Sequence, residues 1–587
     1  TTLTYNAFGE LSQQVQSDTY NYADARTSTI TYDHAGNAIS STDAEGGVHT
    51  QEFDVAGHVT AEQTVIGGDV VRKEFTYDKT GRQTAALDVF TLNGAEHKAG
   101  KRTTHNKFGD VTHEYTVSGV GGGSSQLTTY YYYDRSGQMY YKRDAQNYHY
   151  YRYDLTGEVV RETSLGYNTY YQRDELGRVT KEVKPSFQGL LNATNHQNQR
   201  TFIPVVTQEY DRWGNIVKSI ISDNGDGANS RVTEYRYDHN DQVIEEILPS
   251  ISRMAENGTT ANVKLHKKYH YDKAGRLIRQ AEGVNGSETN VRKQYFYTNG
   301  NVYQEIDATG VKKEYRYNVF NEKVATRDGV GNVMVHDYDR LGQLTATSVY
   351  MDDARYVVSE STYTTTSDTT YSTSTNTFTN INYGTRAERV LLNSYDYDAV
   401  GRRTKETTYS DSLDSVGASV RYVYDERGKK LQTIDQLARS TYYTYDSQGN
   451  KTEERFAIGS SLDNITKWTY NTTSSYKTGQ MTTKTAAGGR LTNYYYDPYG
   501  RLITERYNIS TNTQRSYTYL SGTMLQSIVK DTNNWSNFRG YNNSVRTSNY
   551  AYDFTGNRVS EEIIDDNNWN YTSTYTVTSD YYSSTST

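Results

Sequence analysis

The stretch Tyr77-Asp78-Lys79-Thr80-Gly81-Arg82 contains a pattern, Tyr-Asp-x-x-Gly, that occurs twelve times in the 587 residues of this chain. Aspartate at the first position of a four-residue turn and glycine at the fourth are residues that type I turns prefer. The aspartate side chain can accept hydrogen bonds from backbone amides two or three residues on, and glycine supplies a positive φ where the next strand departs. Each copy therefore predicts a tight turn between two strands.

The copies recur along the whole chain, and the shortest interval between two of them is 20 residues. They begin at Tyr32, Tyr77, Tyr133, Tyr153, Tyr210, Tyr271, Tyr338, Tyr397, Tyr424, Tyr445, Tyr496 and Tyr552. Near-copies begin at Tyr5, Phe53, His105 and Arg173, and weaker ones at Tyr237 and Tyr317, where Asp241 and Asn321 stand in place of the glycine.

Eight complete copies are singled out here as structural turn motifs. Their residues are Tyr32, Asp33 and Gly36; Tyr77, Asp78 and Gly81; Tyr153, Asp154 and Gly157; Tyr271, Asp272 and Gly275; Tyr338, Asp339 and Gly342; Tyr397, Asp398 and Gly401; Tyr445, Asp446 and Gly449; Tyr496, Asp497 and Gly500. We expect positive φ at these glycines, with Gly275 and Gly342 as test positions. The aspartates have a complete explanation as turn residues, so they are not read as catalytic or metal-binding groups.

The segments on either side of the turns alternate in polarity, as in Tyr235-Arg236-Tyr237 and Asn215-Ile216-Val217-Lys218. Period-two patterning with aromatic and β-branched residues predicts strands. A second turn, such as Asp43-Ala44-Glu45-Gly46 or Asp307-Ala308-Thr309-Gly310, lies midway through many repeats. The predicted fold is all-β: a meandering antiparallel sheet of about forty strands of five to seven residues each. Open sheets rarely exceed about ten strands without curling, so the ribbon must wind into a spiral hollow shell.

The composition agrees with an unusual sheet rather than a conventional core. Apolar residues make up 34 % of the chain, and 59 residues are tyrosines. Disordered chains are poor in aromatic residues and rich in proline, whereas this one is 13 % aromatic and has 4 prolines. Tyrosines on successive strands can stack as cross-strand ladders. With so few aliphatic residues we expect water on both faces of the sheet, and a cavity rather than a packed interior.

The hexapeptide Tyr-Asp-x-x-Gly-Arg, as at Tyr77–Arg82, Tyr271–Arg276, Tyr397–Arg402 and Tyr496–Arg501, resembles the YD repeat of Rhs proteins, of the B and C components of bacterial Tc toxins and of teneurins. The resemblance covers essentially the whole chain. It implies a β-sheet wound into a hollow shell, which in the bacterial toxins holds an unfolded toxic polypeptide. Complete family members also carry an aspartate-dependent self-cleavage block, but the one Asp-Pro here, Asp497-Pro498, lies in an ordinary repeat turn, so no cleavage site is carried over.

Two functions from different classes follow. The first is a segment of a bacterial shell that encapsulates a toxic polypeptide and helps deliver it, non-catalytic in itself, with its own cargo or other shell segments as partners. The alternative is an extracellular structural or adhesive filament or stalk of the same repeats that binds glycans or cells. Both place the protein outside the bacterium, secreted or at the cell surface. Because the chain opens with threonine rather than methionine, we expect it to be a segment of something longer.

The composition argues against several other classes of protein, namely those that bind nucleic acid, span a membrane or depend on a metal. The chain has no cysteine, and 62 basic against 70 acidic residues give a net charge of −8 without a basic patch or an apolar run of membrane-spanning length. We therefore expect no nucleic-acid partner, no membrane span, and no metal or other cofactor. Two Asn-Asn-Trp segments, ending at Trp535 and Trp569, are read as sheet packing rather than sugar-binding sites.

Three further features have plainer explanations than the sites they suggest. The loop from Asp223, with Glu234 eleven residues on, lacks the ligand spacing of a calcium loop and is read as a hairpin. The glycine-rich run Gly119–Ser125 lacks the lysine and helix of a phosphate site and is read as a hairpin tip. The nearest histidines, His266 and His270, lie on a predicted strand. No active site is found, and the chain is expected not to be an enzyme.

Three segments follow from the repeat spacing. Residues 1–350 and 394–587 are predicted to form the repeat shell. Residues 351–393, a stretch rich in serine, threonine and tyrosine, are predicted to be an irregular insertion within it.

Overall fold

The computed structural model describes the chain except residues 18–24, 67–68, 123, 145–146, 191–198, 255–258, 351–388, 410–416, 459–461, 472–478, 509–511, 521–524, 535–541, 553–555, 568–570 and 579–587. The described residues form 47 strands and no helix. The strands are β1 (Thr2–Tyr5), β2 (Leu11–Gln16), β3 (Arg26–Tyr32), β4 (Ala38–Thr42), β5 (Val48–Phe53), β6 (Val59–Ile66), β7 (Asp69–Tyr77), β8 (Gln83–Leu92), β9 (Ala95–His105), β10 (Val111–Ser118), β11 (Ser124–Tyr133), β12 (Met139–Arg143), β13 (Tyr148–Tyr153), β14 (Val159–Ser164), β15 (Tyr167–Arg173), β16 (Val179–Val183), β17 (Phe187–Leu190), β18 (Gln199–Phe202), β19 (Pro204–Tyr210), β20 (Ile216–Asp223), β21 (Asp226–Tyr237), β22 (Val243–Ile247), β23 (Ile251–Met254), β24 (Thr260–Val263), β25 (Leu265–Tyr271), β26 (Leu277–Val284), β27 (Asn290–Phe296), β28 (Val302–Ile306), β29 (Lys312–Tyr317), β30 (Lys323–Arg327), β31 (Val333–Tyr338), β32 (Leu344–Tyr350), β33 (Arg389–Tyr397), β34 (Arg403–Thr408), β35 (Ala418–Tyr424), β36 (Lys430–Ile434), β37 (Ser440–Tyr445), β38 (Lys451–Ile458), β39 (Leu462–Tyr470), β40 (Met481–Thr485), β41 (Leu491–Tyr496), β42 (Leu502–Asn508), β43 (Asn512–Tyr519), β44 (Leu525–Asn534), β45 (Asn542–Tyr552), β46 (Arg558–Asn567) and β47 (Tyr571–Thr578).

One antiparallel sheet contains 43 of these strands. Each strand pairs with the next along the chain, as β1 does with β2 and β46 with β47. Two short hairpins, β17–β18 and β23–β24, are inserted where β16 pairs with β19 and β22 with β25. The predicted all-β meander is confirmed.

The sheet has two edges that differ in their turns. The motif turns, such as Asp33–Asn37 and Asp78–Arg82, all follow every second strand and therefore lie along one edge. We call this the turn edge. The opposite edge carries the other connections, such as Asp43–Gly47 and the two-residue turn Asn93-Gly94.

A bulge marks the turn-edge end of the motif hairpins. In the hairpin β13–β14, for example, the register shifts by one residue between Arg152 and Tyr153, so that Tyr153 lies opposite Val159. Bulges increase the local right-handed twist of a strand pair. Repetition of the bulge along one edge bends a long ribbon progressively in one direction.

The sheet is a single layer with little buried apolar material. All residues of β14 and of β16 are half-buried, and none of them is fully buried. Among the described residues the buried apolar side chains form small clusters, such as Ala85, Leu87 and Val117. The expectation of too few aliphatic residues for a continuous core is confirmed.

Strand length departs from the prediction of five to seven residues, since the described strands have 4 to 12. The hairpins β8–β9 and β20–β21 extend further because their pairing continues to two-residue turns. In both turns, Asn93-Gly94 and Asn224-Gly225, asparagine and glycine have positive φ, the geometry of tight type I′ hairpins.

The sheet continues across the interruption that the repeat spacing predicts. Residues 351–388 of the segment 351–393 lie outside the described residues, and β33, which starts at Arg389, pairs with β32. The motif hairpins on either side of this point, β31–β32 and β33–β34, belong to the same sheet.

Candidate functional site

The motif turns share one hydrogen-bond arrangement, which Asp272 illustrates. The Gly275 amide donates to the Asp272 carbonyl (3.0 Å), and the Asp272 amide donates to the Arg276 carbonyl (3.0 Å). The Asp272 Oδ1 atom accepts from the amides of Ala274 (2.9 Å) and Arg276 (3.0 Å). The predicted acceptance from the amide two residues on is thus confirmed, and at Asp211 the amide three residues on, that of Gly214, also donates (2.9 Å). The amide four residues on is a further donor that the sequence did not predict.

Glycine occupies the left-handed region at the fourth turn position, as predicted. The φ values are 79° at Gly275 and 83° at Gly342. At the weaker copies, Asp241 and Asn321 take the same position with φ of 60° and 65°. Aspartate and asparagine tolerate this region better than other non-glycine residues, which explains how these two repeats keep the turn.

Hydrogen bonding holds the turn aspartates in their charged form. The side chain of Asn37 lowers the pKa of Asp33, the side chain of Thr156 lowers the pKa of Asp154, and the Arg178 guanidinium lowers the pKa of Asp174. Every strong donor to these carboxylates lies within the same turn. The turn itself therefore stabilises the charged form of these carboxylates.

The motif tyrosine has a role beyond its strand preference. In twelve repeats its hydroxyl donates, over 2.6 to 3.0 Å, to the backbone carbonyl of the first residue of the strand that follows the preceding turn. Tyr470 and Tyr519 make the same hydrogen bond, although the residues after them do not match the motif. The pairs are Tyr32 to Leu11, Tyr77 to Val59, Tyr133 to Val111, Tyr153 to Met139, Tyr210 to Val179, Tyr237 to Ile216, Tyr271 to Val243, Tyr338 to Lys323, Tyr397 to Leu344, Tyr424 to Arg403, Tyr445 to Lys430, Tyr470 to Lys451, Tyr519 to Leu502 and Tyr552 to Leu525. The hydroxyl thus links each motif turn to the one before it.

A natural replacement supports this role. The near-copy at Arg173 has no tyrosine, yet its guanidinium approaches the Val159 carbonyl at 3.4 Å, where a tyrosine hydroxyl would donate. The sequence pattern predicted stacked tyrosine ladders and not this hydrogen bond. A ladder of that kind does occur, from Tyr132 through Tyr141 to Tyr150, with ring centroids 5.2 and 4.7 Å apart.

The arginine that follows the motif glycine extends the linkage forward. Arg402 donates through Nε to Asp398 (2.6 Å) and through Nη1 to the carbonyl of Asp425 in the next motif turn (2.7 Å). Its guanidinium lies 5.0 Å from the ring centre of Tyr424. Arg178 makes the same contacts with Asp211 and Tyr210. Tyrosine and arginine together make the turn edge a continuous chain of contacts.

Contacts between residues about three hundred positions apart show that the ribbon winds upon itself. Arg26, on the opposite edge, donates through Nη2 to both carboxylate oxygens of Glu322 (2.6 and 2.8 Å) and to the Asp339 carbonyl (3.2 Å). Its guanidinium lies 3.9 Å from the ring centre of Phe320. Glu322, Asp339 and Phe320 all lie on the turn edge.

The same edge-to-edge contact continues along the ribbon. The Arg340 amide donates to Glu45 (2.9 Å), Arg427 lies 3.9 Å from the Phe90 ring centre, the Ser447 hydroxyl donates to Ser118 (3.3 Å), and the Tyr167 hydroxyl donates to the Leu520 carbonyl (2.9 Å). In each pair the lower-numbered residue lies on the opposite edge and the other on the turn edge. We call β1–β17 the first winding, β29–β45 the second winding, and their contact the seam.

A cavity of about 570 Å³ lies at the seam. Leu92 and Asn93 of the first winding line one side of it, and Arg402, Tyr424 and Glu426 line the other. The neighbouring Arg427 is nearly buried and pairs with Asp425 at 2.9 Å. The cations at this cavity are engaged by turn groups, so the cavity is part of the packing between windings.

The structure also shows where the other candidate sites of the sequence lie. Asp223 ends β20, where its carboxylate pairs with Arg200 and accepts from the Ile203 amide (2.9 Å), as part of the predicted hairpin. Residues 119–122 form the connection between β10 and β11, as predicted. His266 and His270 lie on β25, as predicted, and His266 Nδ1 is 2.9 Å from the Glu245 carboxylate. Trp535 and Trp569 lie outside the described residues.

The described residues contain no group of three or more histidine, aspartate or glutamate side chains placed to hold a metal ion. In the same part of the chain no helix is long and apolar enough to cross a membrane.

Comparison with solved structures identifies the architecture. Over 97 % of this chain, the sheet superimposes on the crystal structure of TcdB2-TccC3-TEV with a TM-score of 0.57 and 12 % sequence identity. The chain has the YD-repeat fold of a Tc toxin shell. It spans 29 % of that matched chain. The predicted resemblance is thus confirmed at the level of the fold.

Related structures match less closely. The TcdB2-TccC3-Cdc42 crystal structure gives a TM-score of 0.47 and the Tc holotoxin pore of Photorhabdus luminescens 0.41, both at 12 % identity over 98 % of this chain. The chain covers 35 % and 34 % of those chains. No protein-family model and no curated protein sequence matches the chain.

Proposed function

We propose that this chain forms part of the wall of a bacterial YD-repeat shell that encloses a toxic polypeptide and takes part in its delivery, and that the wall is not itself catalytic. The observation that carries the proposal is the seam, in which a single-layer sheet meets itself over separations of 295 to 353 residues. A sheet that winds edge to edge makes a continuous wall. The match to a Tc toxin shell supports the same function.

The two faces of the sheet differ in a way that suits a wall. Several tyrosines two positions before the motif tyrosine lie opposite glutamates on the neighbouring strand, as in Tyr151 with Glu162, Tyr235 with Glu246 and Tyr494 with Glu505. Burial raises the pKa of these three tyrosines, and the nearby carboxylates raise it further. Side chains directly opposite in an antiparallel pair share a face, so one face carries a row of half-buried tyrosine–glutamate pairs.

The other face is more open to solvent. Tyr150 and Tyr495, each one residue from a tyrosine of the row, are both 46 % exposed. Side chains converge on the inner face of a curved layer and diverge on its outer face. We therefore assign the tyrosine–glutamate row to the inside of the shell. A polar wall of this kind gives an enclosed chain little apolar surface on which to fold.

The proposed partners are the cargo polypeptide and other segments of the same shell, within a secreted complex. No cofactor is required, since the function is enclosure. The turn motifs, from Tyr32, Asp33 and Gly36 to Tyr496, Asp497 and Gly500, serve the wall by fixing its turn edge.

Electron microscopy of the assembly that contains this chain, together with proteolysis, tests the proposal. We expect a closed hollow particle with density inside, and a cargo that resists protease while the seam is intact. The variant Glu322→Lys, which breaks the Arg26 pair, should expose the cargo. An open rod without enclosed density would contradict the proposal and favour a filament or stalk.

A further inference from the structure

Three turns of the turn edge differ from the rest in the direction of their internal hydrogen bond. They carry asparagine first, phenylalanine third and an acid fifth: Asn6–Glu10, Asn106–Asp110 and Asn318–Glu322. In each, the asparagine Nδ2 donates to the acid, over 2.6, 2.9 and 2.6 Å. In other motif turns the aspartate at the first position accepts from the side chain of the fifth residue, as Asp272 does from Arg276 and Asp33 does from Asn37. The exchange moves the negative charge from the first to the fifth position.

One of the three turns shows what this arrangement binds. At Asn318–Glu322 the Arg26 guanidinium lies over the Phe320 ring and pairs with both oxygens of Glu322. Both charged side chains are largely buried, with 17 % and 13 % exposed. A planar guanidinium can satisfy a carboxylate and an aromatic face together, which an ammonium cannot do as well. We call the phenylalanine and the acid of such a turn an arginine site.

The turn Asn6–Glu10 reproduces the occupied site closely. Glu322 Oε1 approaches Gly342 of the next motif turn so that a Cβ built there would lie 2.7 Å away. Glu10 Oε1 approaches Gly36 in the same manner, at 3.0 Å from a Cβ built there. The acid is thus held in the same place relative to the glycine of the next motif turn, Gly36 in one case and Gly342 in the other.

The Asn6–Glu10 site is open to solvent. Phe8 is 89 % exposed, and Glu10 has no ion-pair partner within the described residues. At Asn106–Asp110, by contrast, Lys107 Nζ already lies 5.1 Å from the Phe108 ring centre, and a Cβ built on the next motif glycine, Gly137, would meet nothing within 4 Å. Of these two turns, Asn6–Glu10 is therefore the one that matches the occupied site at Asn318–Glu322.

We propose that Phe8 and Glu10 form an arginine site that receives an arginine from the opposite edge of another YD-repeat winding, in the way that Phe320 and Glu322 receive Arg26. The occupant follows from continuity, since the seam already joins an opposite edge to a turn edge, and from charge, since the site combines a carboxylate with an aromatic face. The site lies on the turn edge of the first winding, which no described residue of this chain covers at that point. The proposal does not depend on what the shell encloses.

A peptide that copies the docking edge tests this site. The probe is residues 11–32, which contain the paired strands β2 and β3, with Arg26 as the first residue of β3. It is closed by a disulfide between cysteines added at both ends and labelled with a fluorophore. NMR establishes the strand pairing of the probe first. Fluorescence anisotropy at low salt then measures its binding to the full chain.

We expect saturable binding that weakens about tenfold for Phe8→Ala and for Glu10→Gln. A probe carrying Arg26→Lys should also bind more weakly, because an ammonium lacks the planar fork. The matched control is Leu176→Ala, which shortens an exposed apolar residue at the same turn position beside Arg178 and should leave binding unchanged. Phe8 lies at a turn tip, so its truncation should not alter thermal unfolding.

Two results would overturn the proposal. One is absence of binding by a probe whose strands are paired. The other is an equal affinity for the wild-type chain and for the Phe8→Ala and Glu10→Gln variants, or an equal loss in Leu176→Ala, either of which would show that the probe does not use the arginine site.

Discussion

The turn edge of the first winding and that of the second are built from the same five-residue turns, yet they have different surroundings. On the first winding the turn tips are open, with Phe8, Val55 and Leu155 between 89 and 111 % exposed. On the second winding Leu341 and Val400 are 37 and 38 % exposed, and Asp425 is buried. The turn fold is therefore independent of what covers it, and docking is added by side chains at the tips.

The largest expected difference in stability between the two turn edges comes from replacing the glutamate of the arginine site, Glu322 on the second winding and Glu10 on the first. Glu322→Lys leaves Arg26 without its partner at a largely buried position and places a like charge beside it. We expect a loss of roughly 2–4 kcal/mol in the free energy of unfolding. Glu10→Lys, the matched change on the open edge, should cost less than about 1 kcal/mol. Denaturant unfolding of both variants measures this, and equal losses would contradict the seam.

The next comparison is between glycines at the fourth turn position, Gly36 on the first winding and Gly342 on the second. Alanine at Gly36 or Gly342 has to adopt a φ above 80°, which costs about 1–2 kcal/mol. At Gly342 the new Cβ also lies 2.7 Å from Glu322 Oε1 and 3.4 Å from Arg26 Nη1, so Gly342→Ala should cost about 1 kcal/mol more than Gly36→Ala. Thermal unfolding of the two variants compares them. A greater loss at Gly36 would show that the Arg26 pair does not constrain this turn.

The motif tyrosine should show no difference between the windings, since its hydroxyl bond lies within one winding. Tyr32→Phe and Tyr424→Phe each leave a strand carbonyl without its donor, and each should cost about 1 kcal/mol. Tyr132→Phe, on the open face, is the control and should be nearly neutral. If only one of the two variants lost stability, the hydroxyl bond would not have the same role in both windings.

The smallest expected effect is a loss of turn stability at low pH. Hydrogen bonds lower the pKa of Asp33 and Asp154 in the folded chain. A carboxyl group with a lowered folded pKa stabilises the fold above its unfolded pKa of about 3.9, and this contribution is lost as pH falls through the folded pKa. Below about pH 4 the first-winding turns should therefore loosen, and Asp154→Asn should reduce the pH dependence. Hydrogen exchange of the turn amides as a function of pH measures it. If the turn amides are protected from exchange as strongly below about pH 4 as at pH 5, the charged aspartates do not stabilise these turns.

Much of the fold could be predicted from the repeat because the turn is a local structure. Aspartate and glycine at fixed positions determine the turn, so the motif at Tyr271, Asp272 and Gly275 was sufficient to predict the meander and the positive φ. The strand lengths were less accessible, because the Asn93-Gly94 and Asn224-Gly225 turns extend hairpins beyond the repeat unit.

The seam and the tyrosine hydrogen bond were not predicted from the sequence repeat. Contact between Arg26 and Glu322 depends on how far the accumulated twist carries the ribbon, a property of many strands together. The tyrosine bond had a signal in the sequence, since its acceptor lies two residues after the preceding motif glycine, as Val59 follows Gly57. Arg173 in place of tyrosine shows that a donor is required there, rather than a ring.

Cross-linking of the seam tests the central claim that the opposite edge of the first winding meets the turn edge of the second. Ser118 and Ser447 lie 3.3 Å apart between hydroxyl oxygens, and the chain has no native cysteine. The double variant Ser118→Cys with Ser447→Cys should form an intramolecular disulfide on mild oxidation. Ser136→Cys with Ser447→Cys, which pairs two turn-edge positions, should remain reduced. A disulfide in the control pair, or none between positions 118 and 447, would contradict the winding described here.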